Sequence, residues 1–238
     1  MTPKLDSKMY LLNIETSTKI CGVSLSKDGQ LIDHHESSEG NAHAANLAVF
    51  IDDLIKRNKL QYRDLSAIAI SEGPGSYTGL RIGTSTAKGL CYALDIPLIA
   101  ISTLQSMAAH ALSLYNQDFN GIFRPLIDAR RMEVYSQAFD QELNAIDEIR
   151  AIVIDNESFV EELEKQVIVF FGDGAEKCQE SIQHKNALFF DQAEASALGM
   201  VQLSYQKFQQ KEFVDVAYFE PFYLKEFIAA VSVVKGLR

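Results

Sequence analysis

The chain has 238 residues, 47% of them hydrophobic and 23% charged, which fits a globular protein of one large domain or two small ones. Its 22 basic and 32 acidic residues give a net charge of −10, so autonomous binding of nucleic acid is disfavoured, whereas work on RNA within a complex stays open. The apolar runs are too short to span a bilayer, and the N-terminal residues lack the apolar core of a signal peptide. A cytoplasmic location without membrane contact is therefore expected.

The cysteines and histidines lack the spacings that disulfide frameworks and metal sites use. Cys21, Cys91 and Cys178 are far apart in sequence, and no two histidines have ligand spacing. No GxSxG motif is present, and no serine or cysteine stands in a recognisable acid–base arrangement. We therefore expect no catalytic residue, metal or cofactor, although histidines distant in sequence could still meet in the fold.

The first half of the chain predicts three strands followed by alternating helices and strands. Short apolar runs separated by a polar turn at 15–18 and a Lys27–Asp28–Gly29 turn indicate a meander. Apolar residues then recur with helical period from His43 to Arg57, after Asn41 as the N-cap. The predicted elements are strands at 9–14, 20–25 and 30–36, the helix at 43–57, a strand at 67–70, a helix at 78–94, a strand at 98–101 and a helix that Ser102 caps and that ends near Leu114.

The second half begins after a polar stretch at 116–120, which indicates a linker. The predicted elements are strands at 125–128, 134–139 and 167–171, helices at 158–165 and 193–208, and an extended segment at 221–227. This order predicts two α/β subdomains side by side, residues 1–115 and a smaller unit of residues 116–238 whose C-terminal helix packs back on the fold.

The most distinctive stretch is SEGPGSYTGLRIGTSTAKG, residues 71–89. The loop Gly73–Pro74–Gly75–Ser76 precedes a helix, as in many anion sites, but it has neither a Walker sequence nor GxGxxG spacing. Gly79, Gly83 and Gly89 each weaken the following helix by about 1 kcal/mol relative to alanine, so a packing reason is required. We interpret this helix as a contact surface that another helix approaches closely, with Tyr77, Leu80, Arg81 and Thr84 beside it.

Three further groups could belong to a phosphate or nucleotide site, and each also has a structural interpretation. Glu15, Thr16 and Ser17 could meet a phosphate or magnesium ion, but a turn held by side-chain bonds to the backbone is favoured. Arg130 and Arg131 could clamp a phosphate or form an exposed hairpin tip, which is commoner. Gly172 and Gly174 follow a strand and could hold a phosphate or make a plain turn.

Five segments together resemble the TsaB family, formerly called YeaZ. They are LLNIETSTKICGVSLSKDG, AIAISEGPGSYTGLRIGTSTAKGL, DARRMEVYSQAF, FFGDGA and PFYLKE, and they run in order from Met9 to Glu226. The resemblance implies an α/β fold of the actin-like ATPase (ASKHA, ribonuclease H-like) type with two subdomains. It also implies similarity to TsaD, the catalytic protein of the same pathway.

The function that the resemblance implies is that of a non-catalytic accessory subunit. Such a subunit binds and activates TsaD for threonylcarbamoyl transfer to the adenosine adjacent to the tRNA anticodon, while TsaE joins a ternary complex and TsaC makes the threonylcarbamoyl-adenylate. Alone it forms a homodimer, and it meets tRNA only indirectly through the complex. A glycoprotease-like peptidase and a nucleotide-binding regulatory protein are the alternatives.

The resemblance also implies roles for individual residues. Thr103 and Met107 stand where the catalytic relative has two metal-binding histidines, and neither suits a hard metal site. The nucleotide site at Glu15, Thr16, Ser17, Arg130, Arg131, Gly172 and Gly174 is therefore expected to be degenerate. The implied partner interface consists of His43, Leu47, Phe50, Leu54, Tyr77, Leu80, Arg81, Thr84 and Lys88, with Gly73, Pro74, Gly75, Ser76, Gly79 and Gly83 packing the loop and helix.

Overall fold

The computed structural model describes residues 8–38, 42–115 and 120–225, apart from the side chains of residues 42–44. The proposed Asn41 cap, most of the predicted linker and the end of the 221–227 segment lie outside these ranges. The first sheet contains β1 (Tyr10–Glu15), β2 (Cys21–Lys27), β3 (Gln30–Ser37), β4 (Leu65–Gly73) and β5 (Leu98–Ser102). Its order is β3-β2-β1-β4-β5, with the meander antiparallel and β1, β4 and β5 parallel.

The second sheet repeats this plan. It contains β6 (Gly121–Asp128), β7 (Glu133–Ser136), β8 (Arg150–Val153), β9 (Val167–Phe171) and β10 (Ala187–Phe189). Its order is β10-β9-β6-β7-β8, which places the first strand of each unit at the centre, the antiparallel meander on one side and two parallel strands on the other. Two sheets of this order confirm the predicted α/β fold with two actin-like subdomains, while the exact boundary between them stays a prediction.

The helices of the first subdomain cover both faces of its sheet. Helix α1 (Ala42–Arg57) and helix α2 (Tyr77–Leu94) bury Leu47, Leu54 and Cys91 in the core against β1, β2 and β4. Helix α5 (Met200–Gln210) belongs to the second half of the chain but packs Met200 and Leu203 on the opposite face. Because α1 and α2 lie on the same face, their outer sides point away from the sheet in the same direction.

Helix α3 (Thr103–Leu114) connects the two sheets. It begins as predicted, since the Ser102 hydroxyl accepts a hydrogen bond from the Gln105 amide at 3.4 Å. Its buried residues Leu104 and Met107 pack with Phe123 and Phe171 of the second sheet, and the same helix also contacts β4 and β5. One rigid helix therefore fixes the contact between the subdomains.

The predicted helix at 193–208 is wrong in its first half, because α5 begins only at Met200. Residues 193–199 instead cross between the subdomains, with Ala193, Ala195 and Ala197 buried. The Ala197 amide donates to the Glu36 carboxylate at 2.8 Å. Tertiary hydrogen bonds therefore override the helical propensity of this alanine-rich stretch.

Smaller differences concern the second subdomain. The predicted helix at 158–165 is reduced to α4 (Val160–Leu163), and residues 134–139 form the shorter strand β7. The sequence does not predict β8 or β10, because β10 has only three residues and β8 is defined by its pairing with β7. All three cysteines are buried and unpaired, in agreement with the sequence.

An unexpected buried arginine lies in the second subdomain. Arg124 on β6 is 1% exposed, donates to Asp147 and Glu162, and lies over the Phe159 ring. Burial alone would raise the pKa of Asp147, but the Ala138 amide and the Arg124 charge outweigh it and lower that pKa. Because the folded protein favours the charged carboxylate, this contribution to stability is present near neutral pH and is lost as the pH falls through the lowered pKa.

Candidate functional site

Gly79 and Gly83 of α2 face the protein's own β1–β2 turn. A Cβ atom on Gly79 would lie less than 3 Å from the Thr16 carbonyl oxygen, and one on Gly83 would be as close to the Thr16 hydroxyl. The same holds for Gly75 and the Ser17 carbonyl oxygen. The interpretation that Gly79 and Gly83 let another helix approach closely is therefore corrected. They allow α2 to approach the turn of its own subdomain.

The loop before α2 uses its polar groups internally. The Ser76 amide donates to the Ser17 carbonyl at 2.6 Å, and the Ser76 hydroxyl caps the helix by accepting from the Gly79 amide. Gly73 has a φ of +115°, and a Cβ there would lie 2.6 Å from the Phe222 carbonyl oxygen. The loop is thus held between the β1–β2 turn and the C-terminal segment.

The Glu15–Thr16–Ser17 turn is fully buried. One Glu15 oxygen accepts from the Ser17 amide at 2.6 Å, the Ser17 hydroxyl at 2.5 Å and the Ser71 hydroxyl at 3.0 Å. The other Glu15 oxygen has no hydrogen-bond partner among the described residues. Burial raises the pKa of Glu15. The hydrogen bonds from Ser17 and Ser71 partly offset this rise, and the negative charge of Glu36 adds to it. These contacts match the structural interpretation of the turn.

Replacing Glu15 with glutamine is expected to make the stability of the protein less sensitive to pH. Because folding favours the neutral acid, the wild type loses stability as the pH rises from the unfolded pKa through the raised folded pKa. The Glu15→Gln variant has no such group, so its stability relative to wild type should increase by up to about 1.4 kcal/mol per pH unit in that window. Urea unfolding at a series of pH values between 4.5 and 8 measures this difference. If the difference in unfolding free energy between the two proteins were constant across the series, the pKa of Glu15 would not be raised by folding.

The other half of the predicted nucleotide site is also occupied by protein atoms. A Cβ on Gly172 would lie 2.5 Å from the Met107 methyl carbon, and one on Gly174 would lie 2.9 Å from the Leu126 carbonyl oxygen. Arg130 and Arg131 are exposed at the β6–β7 hairpin tip with positive φ values of 71° and 51°. No hydrogen bond or ion pair between the described residues joins either arginine to the Glu15–Ser17 turn. The described contacts therefore do not join the two arginines to the turn, whereas Asp173, between the two glycines, interacts electrostatically with Lys19 of the β1–β2 turn.

Residues 193–199 cross the space between the subdomains, which sequence analysis missed. Lys19 of the β1–β2 turn pairs with Glu194 at 2.9 Å, and the Ser24 hydroxyl donates to the Ala197 carbonyl at 2.8 Å. Glu36 accepts from the Ser196 hydroxyl at 2.7 Å and from the Ala197 amide. These contacts tie the second half of the chain to the first sheet.

Several predicted interface residues lie in the core. Leu47, Leu54 and Leu80 are at most 1% exposed and Phe50 is 7% exposed, so they cannot contact a partner in this conformation. Their apolar side chains instead pack α1 and α2 onto the sheet. The His43 side chain lies outside the described part of the structure. This corrects the predicted interface, which combined the core face of each helix with its outer face.

The outer faces of α1 and α2 expose a different set of residues. Val49 is 53% exposed on α1, and Tyr92 is 87% exposed on α2. Gly89 has open space around its Cα, since a Cβ there would have no neighbour within 4 Å among the described atoms. The remaining exposed residues of these two helices are Ala45, Ala48, Asp53, Lys56, Arg57, Thr78, Arg81, Ser85 and Ala93. We call the surface formed by all twelve residues the outer helix face.

A groove lies beside this face, between α2 and the C-terminal strap, residues 212–225. Its volume is about 470 Å³, and its lining residues are Tyr77, Arg81, Thr84, Ser85 and Lys88 from α2 and Glu220, Pro221 and Tyr223 from the strap. The Lys88 ammonium donates to the Ala217 and Phe219 carbonyls at 3.1 and 3.0 Å. Lys88 thus anchors the strap, a role that the sequence did not indicate. Tyr77, Arg81 and Thr84 lie together in the groove as neighbours.

The described ranges contain no group of three or more histidine, cysteine, aspartate or glutamate side chains arranged to hold a metal ion. Within the same ranges, every helix is too short or too polar to cross a lipid bilayer.

Comparison with known proteins identifies the family. The model of the family TsaD, tRNA N6-adenosine threonylcarbamoyltransferase, matches residues 32–233. The TsaB protein of Escherichia coli K12 is 31% identical over 232 residues, which cover 93% of this chain and 96% of the relative. The TsaB protein of Bacillus subtilis 168 is 32% identical over 141 residues, 59% of each chain.

A solved structure agrees with these relatives. YeaZ from Pseudomonas aeruginosa superposes with a TM-score of 0.79 at 25% identity, over 91% of this chain and all of that one. The chain described here, with its glycine loop and helix α2, thus matches TsaB relatives over nearly its whole length. This chain belongs to the TsaB (YeaZ) family.

Proposed function

We propose that this chain is an accessory subunit in tRNA threonylcarbamoyladenosine biosynthesis, the process for which its TsaB relatives are named. In this proposal it binds a TsaD-type catalytic protein and activates it, and it has no chemistry of its own. TsaE joins the pair, and the isolated chain self-associates through the same surface. Because the TsaD family model also matches this chain, the two partners would be related folds that pair through corresponding helices.

The observation that carries the proposal is the outer helix face. Tyr92 is 87% exposed and Val49 53% exposed, and both point away from the same sheet. Tyr218 of the strap, which follows the Ala217 carbonyl held by Lys88, is 84% exposed. Exposed aromatic and aliphatic side chains beside small residues are typical of helix-pair interfaces with an apolar centre and a polar rim.

The contacts of Thr103 and Met107 support the absence of catalysis. The Thr103 hydroxyl accepts from the Gly73 amide at 3.2 Å, and Met107 is fully buried against Gly172. A threonine and a thioether replace the imidazoles that a metal site would need at these two positions of α3. Their side chains hold the glycine loop and fill the space next to the second sheet.

Reconstitution tests the proposal. TsaC, TsaD and TsaE from the same source are assayed for threonylcarbamoyl transfer to tRNA, with and without this chain. The proposal expects little transfer without it and full transfer at a stoichiometry of one chain per TsaD. Transfer that is indifferent to the chain would refute the accessory role. Transfer by this chain without TsaD would refute its lack of chemistry.

A further inference from the structure

We propose that the groove between α2 and the strap binds a carboxylate-bearing segment of the TsaD-type partner, with Arg81 as its counter-ion. This inference rests on the proposed function and adds a recognition site to it. The groove is polar and lies beside the outer helix face, so a partner seated on that face would reach it.

The charge of the groove favours an acidic occupant. Three charged residues line it, namely Arg81, Lys88 and Glu220, and together they carry one net positive charge in a chain of net charge −10. Among the described residues Lys88 bonds only to carbonyl oxygens, so none of their carboxylates neutralises its charge. Among the described residues no carboxylate lies within ion-pair distance of Arg81. A guanidinium with free donors is suited to bidentate binding of a carboxylate.

The Arg81 side chain is already oriented. One of its terminal nitrogens donates to the Tyr77 hydroxyl at 3.0 Å, and its guanidinium carbon lies 5.3 Å from the centre of the Tyr77 ring. Tyr77 in turn packs against Tyr223 of the strap, with ring centroids 5.0 Å apart. An oriented guanidinium loses less conformational entropy on binding than a free one.

Thr84 supplies an independent indication of a ligand. It is 5% exposed and lines the groove, and its hydroxyl has no hydrogen-bond partner among the described residues. A helical threonine commonly donates to the carbonyl four residues earlier, as Thr86 does to Ile82 at 2.9 Å. A buried hydroxyl without a partner is costly, so a ligand oxygen that reached it from the groove beside Arg81 would remove that cost.

The strap makes the groove a preformed site. The Phe222 amide donates to the Glu72 carbonyl at 2.7 Å. Three residues earlier in the strap, the Phe219 carbonyl accepts from the Lys88 ammonium. Farther along, Lys225 pairs with Glu133 on β7. Both walls of the groove are thus fixed before a partner binds.

Self-association on the outer helix face is part of the proposed function, but a second copy of this chain is a less favourable occupant of the groove itself than a different protein. Each copy carries a net charge of −10, so two copies repel each other at long range. A twofold contact through α2 would also place both Arg81 side chains in one interface, and like charges brought together across an interface oppose binding. We therefore assign the groove to an acidic segment of the TsaD-type partner.

The test measures binding of TsaD from the same source by calorimetry, using the full-length chain. Arg81→Glu is expected to weaken binding about 30-fold and Arg81→Gln about tenfold. Thr84→Val, which replaces the hydroxyl with a methyl group, is expected to weaken binding about fivefold. The matched control is Arg63→Glu, an exposed arginine of the short 3-10 helix Tyr62–Asp64 outside the groove, which should bind as wild type.

Each outcome of this experiment has a distinct meaning. If wild type binds TsaD and Arg81→Glu binds equally well, the groove assignment is overturned and the proposed function stands. If Arg81→Glu impairs only self-association, the occupant is a second copy and the assignment is again overturned. If wild type fails to bind TsaD at all, the proposed function fails instead. Circular dichroism and urea unfolding of each variant exclude misfolding as the cause.

Discussion

Replacing Gly79 with alanine is expected to lower the free energy of unfolding by about 3 kcal/mol or more, a large effect for a single methyl group. The new Cβ, on helix α2, would meet the Thr16 carbonyl oxygen at less than 3 Å, and that oxygen belongs to the buried backbone of the turn directly after β1. This clash can be relieved only if α2 moves away from β1. Helix propensity alone would predict a gain of stability at this position.

The matched control is Gly89→Ala on the same helix. No described atom lies within 4 Å of a Cβ at this position, so only the helix propensity changes. The expected result is a gain of about 0.5–1 kcal/mol. Urea unfolding of both variants at constant m-value measures the two changes. Equal changes of the same sign would show that Gly79 does not pack as described.

This comparison shows which part of the glycine helix could be predicted. The spacing of Gly79 and Gly83 correctly required close packing, because three glycines in one helix need a reason. The direction of that packing could not be predicted, since it depends on where the β1–β2 turn lies. Thr16 is 63 residues before Gly79, and no local pattern connects the two.

The same distinction holds for the rest of the fold. The meander and the Ser102 cap follow from alternation, turn residues and a side-chain cap, all of which act within a few residues. The helix predicted for residues 193–199 does not form. Glu36, far away in sequence, accepts hydrogen bonds from the Ser196 hydroxyl and the Ala197 amide instead. Strand β8 was missed because its four residues are stabilised by pairing with β7 alone.

The predicted interface shows a further limit of the sequence. The apolar period of α1 identified Leu47, Phe50 and Leu54, but such a period marks the face that the protein itself buries. In the proposed function, the residues that serve a partner are those outside the buried face, such as Val49, which is 53% exposed. They can be found only when the orientation of the helix is known.

The outer helix face leads to the second large effect. Tyr92→Glu is expected to weaken binding of TsaD about 100-fold, because a charge would replace an aromatic side chain near the centre of the interface. Val49→Glu is expected to weaken it similarly from the neighbouring helix. Both positions are exposed in the free chain, so unfolding free energies should change by less than about 0.5 kcal/mol. Threonylcarbamoyl transfer should fall in parallel with binding.

Ile146→Glu provides the control for these two variants, since Ile146 is 51% exposed but lies in the second subdomain, away from α1 and α2. It introduces the same charge into an apolar site that is about as exposed as Val49. Binding unaffected at Ile146 and lost at Tyr92 and Val49 would locate the partner on the outer helix face. Loss at all three positions would mean that added negative charge alone repels the partner. Binding retained by the Tyr92 and Val49 variants would leave the accessory role intact but move the partner to another surface, because a charge buried at a well-packed interface centre cannot be tolerated without cost.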